Sequence, residues 1–307
     1  MRALRIGSRG SPLALWQAEW VRDRLRSLGR AATIEILHTS GDRLAERPLA
    51  SMGGKGVFVR EIEEALLAGR VDLAVHSLKD LPTEQPAGLV LGCIPEREDP
   101  HDILIAPGAP GLEALAPGAA VGTGSPRRAC QLRARRPDLL LRDLRGNVDT
   151  RLRRLREGRY DAIVLARAGV TRLGRPVEAT TLDFDTMLPA VGQGALAIET
   201  REEDRELRVL LRALNHPPTA AAVAAERAFL RGLGGGCQAP IAAIGEVAGA
   251  TLRLRGLVAD PRGETVLRAS REGATAQPEA TGEALARALL ERGAAALVAA
   301  PAPPEPV

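Results

Sequence analysis

Two consecutive α/β units followed by a smaller α+β domain is the fold class this sequence predicts, and three observations carry it. Short apolar runs alternate with helix-period segments over the first two thirds of the chain; the pattern stops and restarts at the loop Pro95 to Pro100; and after Pro217-Pro218 the order changes to a helix, three strands and a helix. At 307 residues the chain also exceeds the usual size of one core, so domains of roughly 100 residues each are expected.

Leu4 to Gly7 is a short apolar strand. Ser11-Pro12, an N-cap followed by a proline at the first helical position, opens a helix whose apolar residues Leu15, Trp16, Val21, Leu25 and Leu28 recur at helical spacing until Gly29. Thr33 to Leu37 alternates as a strand, Val57 to Ala68 is helical, and Val71 to Val75 is a buried strand. This βαβα order implies a parallel sheet with covering helices. In the second unit, strands at Ile103 to Ala106, Ala120 to Gly122, Leu139 to Arg142 and Ala162 to Leu165 alternate with helices at Pro126 to Arg135 and Val148 to Glu157. Gly194 to Glu199 is another strand and Glu202 to Leu214 a helix. From Thr219 a helix precedes strands at Ile241 to Glu246, Thr251 to Val258 and Thr265 to Ala269, then a helix ends at Arg292. The tail Ala300 to Val307 has four prolines and is expected to be disordered.

Composition narrows the function. Forty-two basic against 38 acidic residues give a net charge of +4, a mild excess that suits acidic ligands without demanding nucleic acid. Aromatic residues at 2% leave few stacking platforms for single strands. No apolar run approaches the roughly 20 residues that cross a bilayer, and Met1 to Gly10 has charge where a signal peptide needs an apolar stretch, so a cytoplasmic protein without a membrane partner is expected. Cys93, Cys130 and Cys237 form no CxxC, and the odd count argues against a disulfide framework. The four histidines show no metal spacing, and no metal is expected. Only Lys55 and Lys79 are lysines, so 42 minus 2 leaves 40 arginines; two positions that keep a compact ammonium in such a chain stand out.

Arg127 and Arg128 follow Gly122-Thr123-Gly124-Ser125-Pro126 at a helix start, where free N–H groups and the helix dipole favour anions. Arg145, in Leu144-Arg145-Gly146-Asn147, again lies between a strand and a helix, with Arg151 one turn further on. Loops at the C-terminal ends of strands are where open α/β sheets place ligands, and guanidinium forks pair with carboxylates, so these loops suit a substrate with many acid groups. Among so many arginines, any one of them is more often a solvated helix face. Gly53-Gly54-Lys55-Gly56-Val57-Phe58 lacks the first glycine and the hydroxyl residue of a phosphate loop and reads as a glycine loop carrying one cation. His76-Ser77-Leu78-Lys79-Asp80 follows a buried strand, and Asp80 is the carboxylate best placed there to accept hydrogen bonds from a ligand and to stabilise a cation; pairing with Lys79 or capping a turn is the alternative. Cys237, in Gly234-Gly235-Gly236-Cys237-Gln238-Ala239-Pro240, sits in a glycine loop with room for an adduct, whereas Cys93 and Cys130 read as buried apolar residues.

Taken together, Ser8-Arg9-Gly10-Ser11-Pro12-Leu13-Ala14-Leu15-Trp16-Gln17, the glycine loop, His76 to Asp80, Glu96 to Pro100, the arginine pair, Leu144 to Val148, Leu188 to Gly194 and the Cys237 loop resemble the hydroxymethylbilane synthase (porphobilinogen deaminase) family, in order from about residue 4 to 300. The resemblance implies a transferase of tetrapyrrole biosynthesis, cytoplasmic and monomeric. A dipyrromethane cofactor, joined to Cys237 by a thioether, receives four porphobilinogens head to tail, each losing ammonia, before hydrolysis releases the linear tetrapyrrole. Asp80 is then the catalytic carboxylate supporting the azafulvenium cation. Lys79, Asp80, Thr123, Ser125, Arg127, Arg128, Arg145 and Gly146 match positions that hold the cofactor. Arg9, Ser11, Gln17, Arg145, Arg151 and Arg172 match positions that hold substrate, while Lys55 and Phe58 fall on the family's active-site cover. The implied fold is two domains like those of type II periplasmic binding proteins (1–97 with 195–215, and 98–194) and a small α+β domain (216–307) bearing the cysteine. Gly124 and Pro126 depart from the Ser and Leu that the family often has there. A non-enzymatic two-lobed binding protein is the rival, and it needs neither a third domain nor a cysteine loop.

Overall fold

The computed structural model describes residues 2–39, 59–235 and 239–299, so the sites predicted at Lys55, Phe58 and Cys237 and the proline-rich tail lie outside the described residues. The chain divides into two compact units: Met1–Glu98 with Gly194–Ala220, and Asp99–Gln193 with Ala221–Val307.

In the first unit the helix N-terminus forms as the Ser-Pro pair predicts. Ser11 accepts from the Ala14 N–H and Pro12 takes the first position of α1 (Pro12–Ser27), whose Ala18, Val21 and Leu25 bury against the sheet. Around it lie β1 (Leu4–Ser8), β2 (Ala32–Ile36), α2 (Arg60–Leu67), β3 (Leu73–Ser77), β4 (Leu89–Cys93), β10 (Leu196–Arg201) and α6 (Arg205–Leu211). The sheet runs β2-β1-β3-β10-β4, with α1 on one face and Ile62, Ala65 and Leu66 of α2 on the other. α6 starts later than its apolar pattern suggested because the Asp204 side chain caps the Leu207 N–H.

The second unit repeats the plan with β5 (Asp102–Ile105), β6 (Ala120–Gly122), α3 (Pro126–Arg135), β7 (Leu140–Arg142), α4 (Val148–Arg156), β8 (Ala162–Ala166), α5 (Arg167–Arg172) and β9 (Thr180–Leu182), in sheet order β7-β6-β8-β5-β9. The fourth strand of each five-stranded sheet, β10 in one and β5 in the other, runs antiparallel to both its neighbours. The βαβα order of the first unit implied a parallel sheet, and this is corrected: both sheets are mixed, because β10 returns from beyond the second sheet's strands and β5, which no α-helix links to β6, runs against its neighbours. The two sheets share one strand order, with the antiparallel strand fourth in each.

The same unit carries α7 (Pro217–Gly232), β11 (Ile241–Ala248), β12 (Thr251–Ala259), β13 (Val266–Ala274), α8 (Pro278–Glu291) and α9 (Ala294–Ala299). β11 to β13 form an antiparallel meander. One face packs Leu252, Leu254 and Val258 on Phe229, Leu285 and Leu289; the other packs Ala242, Ile244 and Leu257 on Cys130 and Leu188. No helix among the described residues is long and apolar enough to cross a membrane.

Candidate active site

β1 and β3 are parallel neighbours, so their C-terminal ends emerge on the same edge of the first sheet. The chain leaves β1 through Arg9 to Ser11 and leaves β3 through a short 3₁₀ turn, Leu78–Asp80. A recess there is lined by Arg9, Ser11, Gln17, His76, Ser77 and Asp80, with apolar residues of α1 and α2. Thus residues predicted from two separate motifs, Arg9, Ser11 and Gln17 from one and Asp80 from the other, line one recess. Gln17 is buried and donates from Nε2 to the Ser77 hydroxyl at 2.8 Å, so it braces the turn that presents Asp80. Asp80 is exposed and, among the described residues, its side chain makes no ion pair or hydrogen bond; the alternative of pairing with Lys79 is not what forms.

The second unit gathers its arginines on the C-terminal ends of the parallel strands β7, β6 and β8. The loop after β6, Thr123 to Ser125, is tightened by the Ser125 N–H donating to the Thr123 hydroxyl. It lies directly on the loop after β7: a Cβ placed on Gly124 would sit 2.9 Å from both Asp143 Oδ1 and Leu144 O, and 3.2 Å from Arg145 Nε. In this chain, Gly124 thus gives the loop after β6 its close approach to the Arg145 loop. Gly124→Ala is expected to separate them and to weaken binding of acidic ligands several-fold with the fold retained; an unchanged KM for the substrate would sink that reading.

Arg145 is held at 2.9 Å by Asp143, and Arg151 donates from Nε to the Gly146 carbonyl at 2.8 Å. Gly146 has φ +99°, a backbone conformation that side chains disfavour, and it lets Asn147 turn back to cap α4 through the Thr150 N–H. Arg172, at the end of α5, is buried.

Arg127 and Arg128 stand differently from the expectation of open anion binders. Both are 4% exposed and clamp Asp102, which is fully buried on β5. Arg127 donates to its Oδ2 at 2.6 Å; Arg128 donates to Oδ1 from NH2 at 2.7 Å and from Nε at 3.1 Å; Gln193 adds a bond at 2.9 Å. Each arginine also reaches a main-chain carbonyl, Leu188 or Val164. Burial alone would raise the Asp102 carboxyl, but the charges and hydrogen bonds of the two guanidinium groups hold it well below the usual range. Two cations against one anion leave the cluster one net positive charge beneath the Thr123 loop. Asp102 escaped sequence reasoning because it stands among the acids of Glu96 to Asp99; the usable signal was the adjacent arginine pair, which at a buried strand end requires a counter-ion.

Two further buried carboxylates were also missed. Glu226 of α7 accepts from the Gly192 and Gly245 N–H groups at 2.7 and 2.9 Å, tying the Leu188 to Gly192 segment to the third sheet. Glu199 of β10 lies 3.1 Å from His76. The signal for Glu199 was a charge directly following the apolar run Leu196 to Ile198 within one strand. Cys93 and Cys130 are buried, as expected, and burial pushes both thiols up to about 12. Among the described residues no group of His, Cys, Asp and Glu could hold a metal ion.

The fold defines a two-unit α/β protein whose first unit presents the exposed Asp80, and whose second presents arginine-rich loops, at the C-terminal ends of parallel strands; such loops suit ligands bearing several acid groups. Residues 4–209 match the family described as porphobilinogen deaminase, dipyromethane cofactor binding domain, and residues 220–291 match its C-terminal domain. A porphobilinogen deaminase of Syntrophotalea carbinolica is 51% identical over 97% of this chain and 96% of its own, and one of Geobacillus kaustophilus is 50% identical over 97% of each. A periplasmic substrate-binding protein of an ABC transporter from Coxiella burnetii superposes loosely, with TM-score 0.44 and 17% identity over 73% of this chain and 96% of its own. The chain belongs to the porphobilinogen deaminase family.

Proposed function

We propose that this chain is a hydroxymethylbilane synthase: a transferase that joins four porphobilinogen molecules head to tail on a dipyrromethane primer attached to Cys237, releasing ammonia at each coupling and the linear tetrapyrrole by hydrolysis. The observation that carries the reading is Asp80, exposed at the end of β3 and without a side-chain bond among the described residues, in a chain matched by both family domains.

The residues present fit the cofactor. Its acid side chains need cations and hydroxyl or main-chain donors, for which Lys79, Thr123, Ser125, Arg145 and Gly146 are the proposed direct holders, while Arg127 and Arg128, buried against Asp102, are proposed to act through the net positive charge they leave beneath the Thr123 loop. Its pyrrole N–H groups need a carboxylate, and that is Asp80. When bound, the cofactor supplies the pyrrole carbon on which the chain grows. Because it is covalent, the growing chain stays in place between couplings, so only the incoming monomer loses association entropy at each step. Arg9, Ser11, Gln17, Arg145, Arg151 and Arg172 are the proposed substrate-binding residues: guanidinium forks orient the acetate and propionate groups, and Gln17 acts by holding Ser77. Asp80 stabilises the cation left when the amine departs, and Lys55 and Phe58 are assigned to the active-site cover. We keep the three-domain division at 1–97 with 195–215, 98–194 and 216–307, and read the protein as a cytoplasmic monomer acting on small molecules without nucleic-acid or membrane partners.

Burial of Cys93 and Cys130 supports Cys237 as the attachment point, since a thiol titrating near 12 supplies little thiolate. Intact mass spectrometry tests it. The wild type is expected to weigh more than its polypeptide by the primer mass, and Cys237→Ser to weigh only its polypeptide. A variant still carrying the adduct would relocate the tether.

A further inference from the structure

Behind the recess that holds Asp80, a chain of acids is left with unmet hydrogen-bonding capacity. His76, which lines the recess, is 6% exposed and lies with Nε2 3.1 Å from Glu199 Oε2. Glu199 is fully buried, and its second oxygen, Oε1, has no hydrogen-bond partner among the described residues. Glu63 Oε1, on α2, is in the same condition. His76 and Glu199 alternate with Val75 and Ile198, which face α1, and so point to the face that α2 covers, where Glu63 stands one turn before the buried Leu66. Two buried carboxylate oxygens that both lack donors, on groups that repel one another, are satisfied together by one proton.

We propose that Glu63 carries that proton and donates it to Glu199, and that the resulting chain Glu63–Glu199–His76 is a positioning device orienting the imidazole in the wall of the Asp80 recess. The charged neighbours are consistent with it. On β10, the next residue on the same face, Arg201, is occupied by the Leu66 and Val71 carbonyls at 2.8 Å each and by Asp72 and Asp204 at longer range. On α2, Glu61 adds negative charge and Glu64 is paired outward with Arg60. β4 places Leu91 opposite Glu199, and Arg9 and Asp80 line the far side of the recess. Burial first, and the charge of Glu199 second, push the Glu63 carboxyl above its ordinary value, while His76 opposes the shift.

His76 immediately precedes the turn Ser77 to Asp80, so its orientation bears on the proposed active site, and the functional half of this inference rests on that assignment. The proton itself does not. Infrared spectra of the resting holoenzyme should contain a protonated-carboxyl band that Glu63→Gln abolishes and that Glu199→Gln shifts. A spectrum unchanged in both variants overturns the shared proton whatever the enzyme turns out to catalyse. In turnover, Glu63→Gln, which keeps a donor, should retain far more kcat than Glu63→Ala, with KM little altered in either; His76→Gln should lower kcat by up to about a hundredfold through misplacement. Equal losses in the Gln and Ala variants at position 63 would reduce Glu63 to a packing role. An acid whose value is raised in the folded state gives stability that is present at low pH and lost as pH rises through that value. Heating the wild type at increasing pH should therefore show a fall in Tm that Glu63→Gln lacks, and parallel curves would also overturn the proposal.

Discussion

Asp80→Asn is expected to fold like the wild type and to lose about three powers of ten in turnover. The side chain is exposed and, among the described residues, unbonded, so replacing a carboxylate by an amide of the same shape removes charge without removing packing. What it removes is attraction to the cation left by the departing amine: at about 4 Å and an effective dielectric near 20 this is about 4 kcal/mol, or roughly a thousandfold in rate. Single-turnover ammonia release measures it, alongside a melting curve to show that the fold persists. Turnover within threefold of wild type, taken as about 0.7 kcal/mol, would remove Asp80 from the chemistry.

The largest expected effect on stability lies at Asp102. Asp102→Asn leaves Arg127 and Arg128 buried with their counter-ion gone, and breaking a buried pair from one side costs about 3–5 kcal/mol. In a chain of this size that is a fall of roughly 10 °C in Tm. The sign with pH is opposite to that for Glu63. A carboxyl held below its unfolded value gives stability that is complete above the ordinary aspartate range and is lost as pH falls through the folded value, here well beneath that range. The wild type is thus expected to hold this contribution throughout neutral and mildly acid solution, and the variant to be weaker at every one of those pH values. A Tm within about 2 °C of wild type would show that the clamp contributes little.

How much of this was legible beforehand depended on whether the signal was local. α3 begins and ends where Pro126 and the apolar spacing place it, since a proline at the first position is a local device. β4 (Leu89–Cys93), β9 (Thr180–Leu182) and α5 (Arg167–Arg172) were not anticipated: they are short, and β4 is a plain apolar run ending in Gly-Cys with no alternation to mark it. Strand direction was misjudged because β10 and β5 pair with partners that chain order does not reveal. Among the site residues, Asp80 and Arg145 are read from their place in loops after strands, whereas Arg9, Ser11 and Thr123 come only from the family resemblance. Asp102, Glu199 and Glu226 were found by neither route, because each owes its significance to groups 19 or more positions away: Arg127, His76 and Gly245. The depth of Arg127 and Arg128 followed from the same blind spot, since burial of a guanidinium is intelligible only once its carboxylate is known.

The place of β10 also governs how the polypeptide must be made. It lies between β3 and β4, so the first sheet cannot be completed until Leu196–Arg201 has left the ribosome, more than a hundred residues after β4 itself. During that interval β3 and β4 present naked edges, which are templates for wrong pairing in a nascent chain. The intervening stretch that builds the second sheet is thus synthesised while the first waits, and a ribosome-stalled or truncated product ending before residue 196 should be captured by holding chaperones and remain protease-sensitive over its whole length of the first unit.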